Sequence, residues 1–271
     1  RPPRSTPKPS SAASDVYKRQ VYIVVILKQK GLTMNTLIVG GEGGIGGAMI
    51  NSLEGNKAGG VNYATSRRIK TSPQKTTTKW ITLDLASKRS IHAATDQLKE
   101  TCSTLDLVVF ASGYLHGENG NPEKSIKDIE SSSMIHSYLV NTIGPIIFFQ
   151  NCLPLIKSAK RPLVIFLSAQ VGSIEDNPTG GWYSYRMAKA ALNMAVKSLA
   201  LECSRMQNQP TVVAVHPGTT TTKVSQPFLK HRKVTPRGPI DTASAILELA
   251  QEITPADSGK FFKTSGETIP W

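Results

Sequence analysis

Apolar residues along the chain alternate between short continuous runs and longer segments with helical spacing. The stretch "NTLIVGGEGGIGGAMINSL" begins with a β-branched apolar run and then passes through a glycine cluster. Beyond the glycines, Ile45, Met49 and Leu53 recur every four residues. A short apolar run indicates a buried strand, and a four-residue spacing indicates one face of a helix. The pattern therefore predicts a strand, a glycine turn and a helix.

The same alternation continues toward the C-terminus. Further strands are predicted in "GVNYATSRR", "KWITLDL", "LDLVVFASG", "RPLVIFLSA" and "TVVAVHPG", with helices over 87–101 and 183–203. Such runs separated by helices are typical of a parallel sheet covered on both faces. We therefore expect an α/β fold, a single doubly wound Rossmann-type domain with a mainly parallel sheet. Ligands bind such sheets at the carboxyl ends of the strands, where Gly40, Asp84, Ser112, Ser168 and Pro217 fall.

The first 33 residues do not follow this pattern. They are rich in Pro, Ser and basic residues, and their apolar run "VYIVVIL" is too short to span a bilayer. The segment "SSAASDVYKRQ" also resembles a translated adapter sequence. We therefore interpret 1–33 as a non-native or disordered tail and place the start of the folded domain, 34–271, at Met34.

Much of the net charge of +13 lies in this tail. The remaining residues, 34–271, hold 25 basic and 18 acidic side chains, a net charge of +7, and these charges are dispersed. A dispersed charge without interleaved aromatic residues predicts no nucleic acid partner. Cys102, Cys152 and Cys203 have no paired spacing and the histidines form no ligand motif, which predicts neither a disulfide nor a metal site. We expect a cytoplasmic protein without a membrane partner.

The glycine turn indicates a nucleotide site. Gly40, Gly44 and Gly46 have the spacing G-x-x-x-G-x-G between a strand and a helix, which lets the backbone approach a pyrophosphate at the helix N-terminus. Ser66 and Arg67 end the second strand, where an acid binds the ribose 2′-hydroxyl of NAD and an arginine suits the 2′-phosphate of NADP. No acid stands at this strand end, so NADP(H) is expected over NAD(H). The alternative is a solvated basic turn.

Two tyrosines begin the helix predicted over 183–203. Tyr185 and Lys189 are four residues apart and therefore lie on one helix face, whereas the residue four beyond Tyr183 is Met187. A nearby ammonium favours the phenolate and is expected to lower the pKa of Tyr185, which makes Tyr185 a candidate general acid or base. The alternative is a packed tyrosine beside a lysine that reaches the surface.

In chain order, the motifs G-x-x-x-G-x-G, "FASG", "VNTIG", "LSAQVGS", Tyr-x-x-x-Lys and "HPG" together resemble the short-chain dehydrogenase/reductase family. "GGWYSYRMAKAALN", "HPGTTTTKVSQPF" and "GETIPW" are similar to its C-factor branch, a bacterial group named for an intercellular signal. The resemblance covers 35–271 and implies an NAD(P)-binding domain that transfers a hydride between NADPH and a small carbonyl or alcohol substrate. It also implies a homo-oligomer, because the family commonly pairs through the helix that holds Tyr185.

The resemblance implies roles for individual residues. Tyr185 would transfer the proton, Lys189 would lower its pKa and bind the nicotinamide ribose, and Asn141 would hold a water of a proton relay. The coenzyme would be bound by Gly40, Gly44, Ile45 and Gly46 in the turn, Asp84 and Leu85 at the adenine, Gly113 in "FASG", and Pro217, Gly218 and Thr219 beside the nicotinamide.

The chain departs from the family pattern at the substrate-orienting serine, whose position is held by Ala169. Ser168 is the first candidate to replace its hydroxyl and Ser173 is the second. A protein without that hydroxyl could instead bind NADP(H) for sensing or signalling, with little turnover. The segment 223–240, "KVSQPFLKHRKVTPRGPI", is either a solvated loop or a lid that attracts an acidic substrate.

Overall fold

The computed structural model describes residues 34–54, 60–68, 77–229 and 235–271. The predicted tail, 1–33, and part of the loop over 223–240 lie outside these residues. Within them the chain forms seven strands: β1 (Thr36–Val39), β2 (Asn62–Ser66), β3 (Lys79–Thr82), β4 (Leu107–Phe110), β5 (Leu163–Leu167), β6 (Thr211–His216) and β7 (Phe261–Lys263).

Six α-helices connect these strands. They are α1 (Gly44–Glu54), α2 (Lys88–Thr101), α3 (Ser131–Tyr138), α4 (Gly144–Lys157), α5 (Tyr183–Cys203) and α6 (Pro239–Glu252). A single π-helical turn, Leu139–Ile143, joins α3 to α4.

All seven strands pair in parallel in the order β3-β2-β1-β4-β5-β6-β7. The chain moves outward from β1 in one direction and then in the other, so the order reverses between β1 and β4. This confirms the predicted doubly wound α/β fold with one parallel sheet. It also places the reversal beside the glycine turn, which is the position where such sheets bind ligands.

Alternate residues of each strand enter two separate cores. Val164 and Phe166 of β5 pack with α2, α4 and α5 on one face, whereas Ile165 and Leu167 pack with α1 and α6 on the other. The central strands β1, β4 and β5 are covered on both faces, and this explains their continuous apolar runs, whereas the edge strand β3 has exposed residues at both ends.

The apolar helical stretch Ser131–Lys157 is long enough to cross a bilayer, and half of its most apolar part is buried inside the domain. Phe148, Phe149 and Cys152 of this stretch belong to the core. Its apolar composition is therefore explained by packing against the sheet.

Phe166 marks the centre of the larger core. Its side chain is fully buried and stacks on Phe110, with 4.3 Å between ring centroids and 9° between ring planes. We expect Phe166→Ala to lower the free energy of unfolding by about 3–5 kcal/mol, because it leaves a cavity that the rigid strands cannot close. Urea denaturation measures this loss. Ile174→Ala is the control, since Ile174 is 77% exposed and its truncation should change stability by less than about 0.5 kcal/mol.

Candidate active site

The glycine turn crosses the carboxyl end of β1 and leads into α1. Gly40 has a φ of +87°, and a Cβ there would lie 2.9 Å from the Ser112 nitrogen, so the turn needs glycine for both its conformation and its packing. Gly46 packs directly on the Gly40 carbonyl, and a Cβ on Gly44 would lie 2.7 Å from Thr222 Cγ2. Ile45, between them, is half-buried against the α1–α6 core. The turn thus forms a closely packed backbone cradle, and Thr222 packs against it at Gly44.

Two features of this cradle fit a bound pyrophosphate. The helix α1 begins at Gly44 in this cradle, so its first N–H groups have no carbonyl partner within the helix and favour an anion. The Ser112 Oγ is buried and has no hydrogen-bond partner within the described residues. An orphaned hydroxyl beside a helix N-terminus and a glycine-rich backbone is an environment that a phosphate ligand completes.

The end of β2 differs from the sequence-based expectation. Ser66 is 4% exposed, and its Oγ donates a 2.8 Å hydrogen bond to Oε2 of Glu42, which comes from the glycine turn. The premise that no acidic side chain lies at the end of β2 is therefore wrong, because the Glu42 carboxylate reaches it from the glycine turn. Arg67 and Arg68 are both exposed beside it, and the Arg68 N–H donates to Ser66 Oγ at 3.2 Å.

Asp84 and Leu85 follow β3, where the resemblance places the adenine. Asp84 Oδ1 accepts from the Ala86 N–H at 2.9 Å, and the Asp84 N–H donates to Ser90 Oγ at 2.9 Å. Leu85 is buried, and the Leu85 carbonyl packs against Gly144, the first residue of α4. These contacts fix the loop between β3 and α2.

Tyr185 and Lys189 lie one turn apart on α5, as predicted. The Lys189 amino group is 5.8 Å from the centroid of the Tyr185 ring and donates a 2.9 Å hydrogen bond to the Leu167 carbonyl at the end of β5. Lys189 is only 2% exposed. Gly113 flanks this amino group, because a Cβ on Gly113 would lie 4.0 Å from Lys189 Nζ and 3.4 Å from Asn141 Oδ1.

Burial sets the proton affinity of both groups. It raises the pKa of Tyr185 to about 12 and lowers the pKa of Lys189 to about 8. The expectation that Lys189 lowers the pKa of Tyr185 is therefore wrong for the protein alone, since desolvation disfavours the phenolate and the ammonium alike. Tyr185 thus keeps its proton at neutral pH.

Asn141 lies in the π-helical turn and is 1% exposed. Its Nδ2 donates to the Tyr114 carbonyl at 2.8 Å, and its Oδ1 accepts from the Tyr114 N–H at 3.0 Å. Asn141 therefore holds the loop after β4, which contains Gly113, next to Lys189. Single π-helical turns of this kind are frequent at functional sites.

The hydroxyls of the two candidate serines both donate hydrogen bonds within the protein. Ser168 Oγ donates to Asn193 Oδ1 at 2.6 Å, and Ser173 Oγ donates to the Trp271 carbonyl at 3.3 Å. Both serines are buried, and Ala169 stands between them in the chain. The hydroxyl of Ser168, the first candidate, thus donates to Asn193 of α5, and its catalytic role stays a prediction.

The loop after β6 carries Pro217, Gly218 and Thr219. Gly218 has a φ of +77°, and the Thr219 carbonyl accepts from the Arg237 N–H at 2.9 Å. The loop continues to Phe228, whose ring lies 5.1 Å from the Trp182 ring. Of the predicted lid, the basic members at 230–233 lie outside the described residues.

Glu123 is a site residue that the sequence did not indicate. It comes from the loop before α3, is 4% exposed, and accepts hydrogen bonds from the Ser184 hydroxyl and, at 3.2 Å, from the Ser184 N–H. The Glu123 carbonyl accepts from the Trp182 N–H at 2.6 Å. Trp182, the residue before α5, has a φ of 52° and gives the helix no side-chain cap. Glu123 therefore caps α5 from a distant segment.

Ser184 extends this contact toward Asn141. The Ser184 carbonyl accepts from Ser137 Oγ at 3.2 Å, and Ser137 Oγ accepts from Asn141 Nδ2 at 3.2 Å. A cavity with room for about one water molecule lies beside these groups and is also lined by Tyr185. The start of α5 is thus tied to Asn141 by a continuous polar network.

We expect Glu123→Ala to lower the free energy of unfolding by about 1–3 kcal/mol, because it leaves the buried Ser184 N–H and hydroxyl without an acceptor. Hydrogen exchange should accelerate most at the first turn of α5. Glu123→Gln retains one acceptor and should lose less. Glu118→Ala, which removes an exposed carboxylate from the same loop, should match the parent protein. Equal stability of Glu123→Ala and the parent would contradict the capping role.

Comparison with known proteins agrees with this geometry. The family model for short chain dehydrogenases matches residues 34–233. An uncharacterised oxidoreductase of Schizosaccharomyces pombe is 27% identical over 86% of this chain and 96% of its own length. The C-signal of Myxococcus xanthus is 31% identical over 54% of this chain and 84% of its own length.

Among solved structures, an NADPH-bound carbonyl reductase from chicken fatty liver has the same fold. Its TM-score is 0.75 at 24% identity, over 89% of this chain and all of that chain. The family match, the doubly wound sheet, the glycine cradle and the paired Tyr185 and Lys189 lead to one conclusion. The chain belongs to the short-chain dehydrogenase/reductase family of oxidoreductases.

Proposed function

We propose that the protein is an NADP(H)-dependent reductase of small carbonyl compounds, with Tyr185 as the proton donor. The observation that carries this proposal is the buried Lys189 amino group, 5.8 Å from the ring centroid of the half-buried Tyr185. It lies beside Gly113, next to Ser112, whose backbone packs on Gly40 of the glycine cradle. The cradle fits the pyrophosphate of a nicotinamide coenzyme, which would supply a hydride to the carbonyl carbon when bound.

Each polar group of the chain then has a distinct task. The Tyr185 phenol, protonated at neutral pH, donates its proton to the carbonyl oxygen as negative charge develops there. The Lys189 ammonium stabilises the phenolate that remains. Asn141 holds the backbone around Gly113 at the amino group, so that the lysine cannot move away from Tyr185.

The remaining residues of the proposed site would bind the coenzyme. They divide into the turn, the adenosine end and the nicotinamide end: Gly40, Gly44, Ile45 and Gly46; Ser66, Arg67, Asp84 and Leu85; Gly113, Lys189, Pro217, Gly218 and Thr219. The proposed preference for NADP(H) rests on the exposed guanidinium groups at the end of β2, which attract a 2′-phosphate. The NADPH-bound carbonyl reductase of similar fold supports the same choice.

A second candidate function is NADP(H)-dependent signalling with little turnover. Ala169 favours it, because the hydroxyls of Ser168 and Ser173 are bonded elsewhere in the protein. The similarity to the C-signal supports it as well. The two functions share the coenzyme site and differ in rate, so a panel of aldehydes and ketones separates them. Rapid NADPH oxidation with any of these would exclude the signalling candidate.

Tyr185→Phe tests the reductase. We expect carbonyl-dependent NADPH oxidation to fall by about 10²–10⁴-fold, because the general acid is lost while the ring is retained. NADPH binding, followed by fluorescence titration, should change little. Tyr183→Phe is the matched control, since Tyr183 begins the same helix without a lysine one turn away. Unchanged turnover in Tyr185→Phe would refute the assignment.

We also propose that the protein works as a homo-oligomer in the cytoplasm, on a small molecule, without nucleic acid or membrane partners. Met187, Met194 and Leu201 recur every seven residues on α5 and are 43%, 66% and 58% exposed, which is a stripe suited to pairing with a second copy. The three cysteines are free and buried, which suits a reducing compartment.

We expect Met194→Glu to convert the oligomer into a monomer in sedimentation equilibrium, because two copies would bury like charges at the centre of the stripe. Ile174→Glu introduces the same charge at an exposed position outside the stripe and should leave the assembly intact. If the parent protein sediments as a monomer, or if both variants sediment alike, the stripe is not an interface.

A further inference from the structure

The ribose end of the coenzyme site contains charges of both signs. Ser66 ends β2, the position from which an acid binds the ribose 2′-hydroxyl in NAD-binding domains. Here Glu42 Oε2 accepts a 2.8 Å hydrogen bond from Ser66 Oγ, so its carboxylate lies at that strand end although it belongs to the glycine turn. Arg67 and Arg68 follow directly and are exposed. An acidic and a basic element therefore share one subsite.

These charges act oppositely on the two coenzymes. A carboxylate accepts a hydrogen bond from a free 2′-hydroxyl and repels a 2′-phosphate, whereas guanidinium groups attract the phosphate. Glu42 is exposed, and solvent weakens both interactions without changing their signs. The buried Ser66 hydroxyl restrains the carboxylate on the β2 side of the turn, which is the side of the ribose.

We propose that Glu42 is a specificity-determining residue that weakens NADP(H) binding relative to NAD(H), so that the protein uses both coenzymes. This inference rests on the proposed function. In NAD-binding domains, an acidic residue at the end of β2 selects NAD(H) over NADP(H). Here a residue of the glycine turn, Glu42, would have that role. The proposal also predicts that the preference for NADP(H) supplied by Arg67 and Arg68 is modest in the parent protein and can be increased.

The test is the binding of NADPH and NADH to the purified full chain and to Glu42→Gln. Tryptophan fluorescence is a suitable readout, because the Trp80 ring packs at the glycine turn. A Cβ added to Gly41 would lie 3.2 Å from this ring. We expect Glu42→Gln to tighten NADPH binding by about tenfold, on the scale of removing one solvent-exposed like charge at contact distance. NADH binding should stay equal or weaken.

Glu54→Gln is the matched control. The Glu54 carboxylate lies at the opposite end of α1 and accepts a 2.6 Å hydrogen bond from Thr78 Oγ1. Like Glu42 it is a carboxylate that accepts from a hydroxyl, but it lies away from the proposed ribose subsite. Its ratio of NADPH to NADH affinity should equal that of the parent. Ser66→Ala removes the hydrogen bond from Ser66 to Glu42 without removing the charge of the carboxylate and should give an intermediate ratio.

The outcomes separate the two proposals. An unchanged ratio in Glu42→Gln, or equal tightening of both coenzymes, would overturn the role of Glu42 and leave the reductase standing. Failure of the parent protein to bind either coenzyme would overturn both. Thermal unfolding of each variant, measured without coenzyme, shows whether a change in affinity reflects a change in the fold.

Discussion

The active site depends on the burial of one amino group at the ends of parallel strands. Lys189 is 2% exposed and donates to the Leu167 carbonyl at the end of β5. Removing an ammonium from water is unfavourable, so its position is tolerated only where neighbouring groups compensate. The same desolvation keeps the Tyr185 phenol protonated. In the proposed reaction the Tyr185 phenol would donate its proton, and the Lys189 ammonium would stabilise the phenolate that this leaves.

The packing of α5 on the sheet makes this burial possible. A Cβ on Gly172 would lie 2.7 Å from Lys189 Cβ, so the helix approaches the end of β5 only because a glycine stands there. On one side of the helix Thr142 Oγ1 donates to the Ala188 carbonyl at 2.6 Å. Further along the helix, Asn193 Oδ1 accepts a hydrogen bond from the Ser168 hydroxyl at the end of β5. The serine that sequence alone offered to catalysis thus fixes the distance between strand and helix.

Local pattern was sufficient to predict β1 to β6, the glycine turn and the spacing of Tyr185 and Lys189, because each depends on residues a few positions apart. The short strand β7 was not predicted. Glu42 and Glu123 could not be predicted in this way, since both act on residues more than twenty positions distant and neither belongs to a periodic segment. The pKa of Tyr185 was predicted in the wrong direction, because spacing shows that a lysine is near but not that both groups are desolvated. Side-chain direction at Ser168 likewise depends on where β5 ends.

An alanine at position 169 is expected to slow the proposed reaction without preventing it. Losing one hydrogen-bond donor to a developing oxyanion costs about 10²–10³-fold in turnover. Positioned proton transfer contributes about 10²–10⁴-fold, and alignment of the reacting groups contributes more. Tyr185 and Lys189 lie side by side, Asn141 holds the loop that flanks Lys189, and the glycine turn forms a closely packed cradle for the proposed coenzyme. Since the groups that remain supply more than the missing hydroxyl removes, a slow reductase explains this arrangement better than a site that has lost its chemistry.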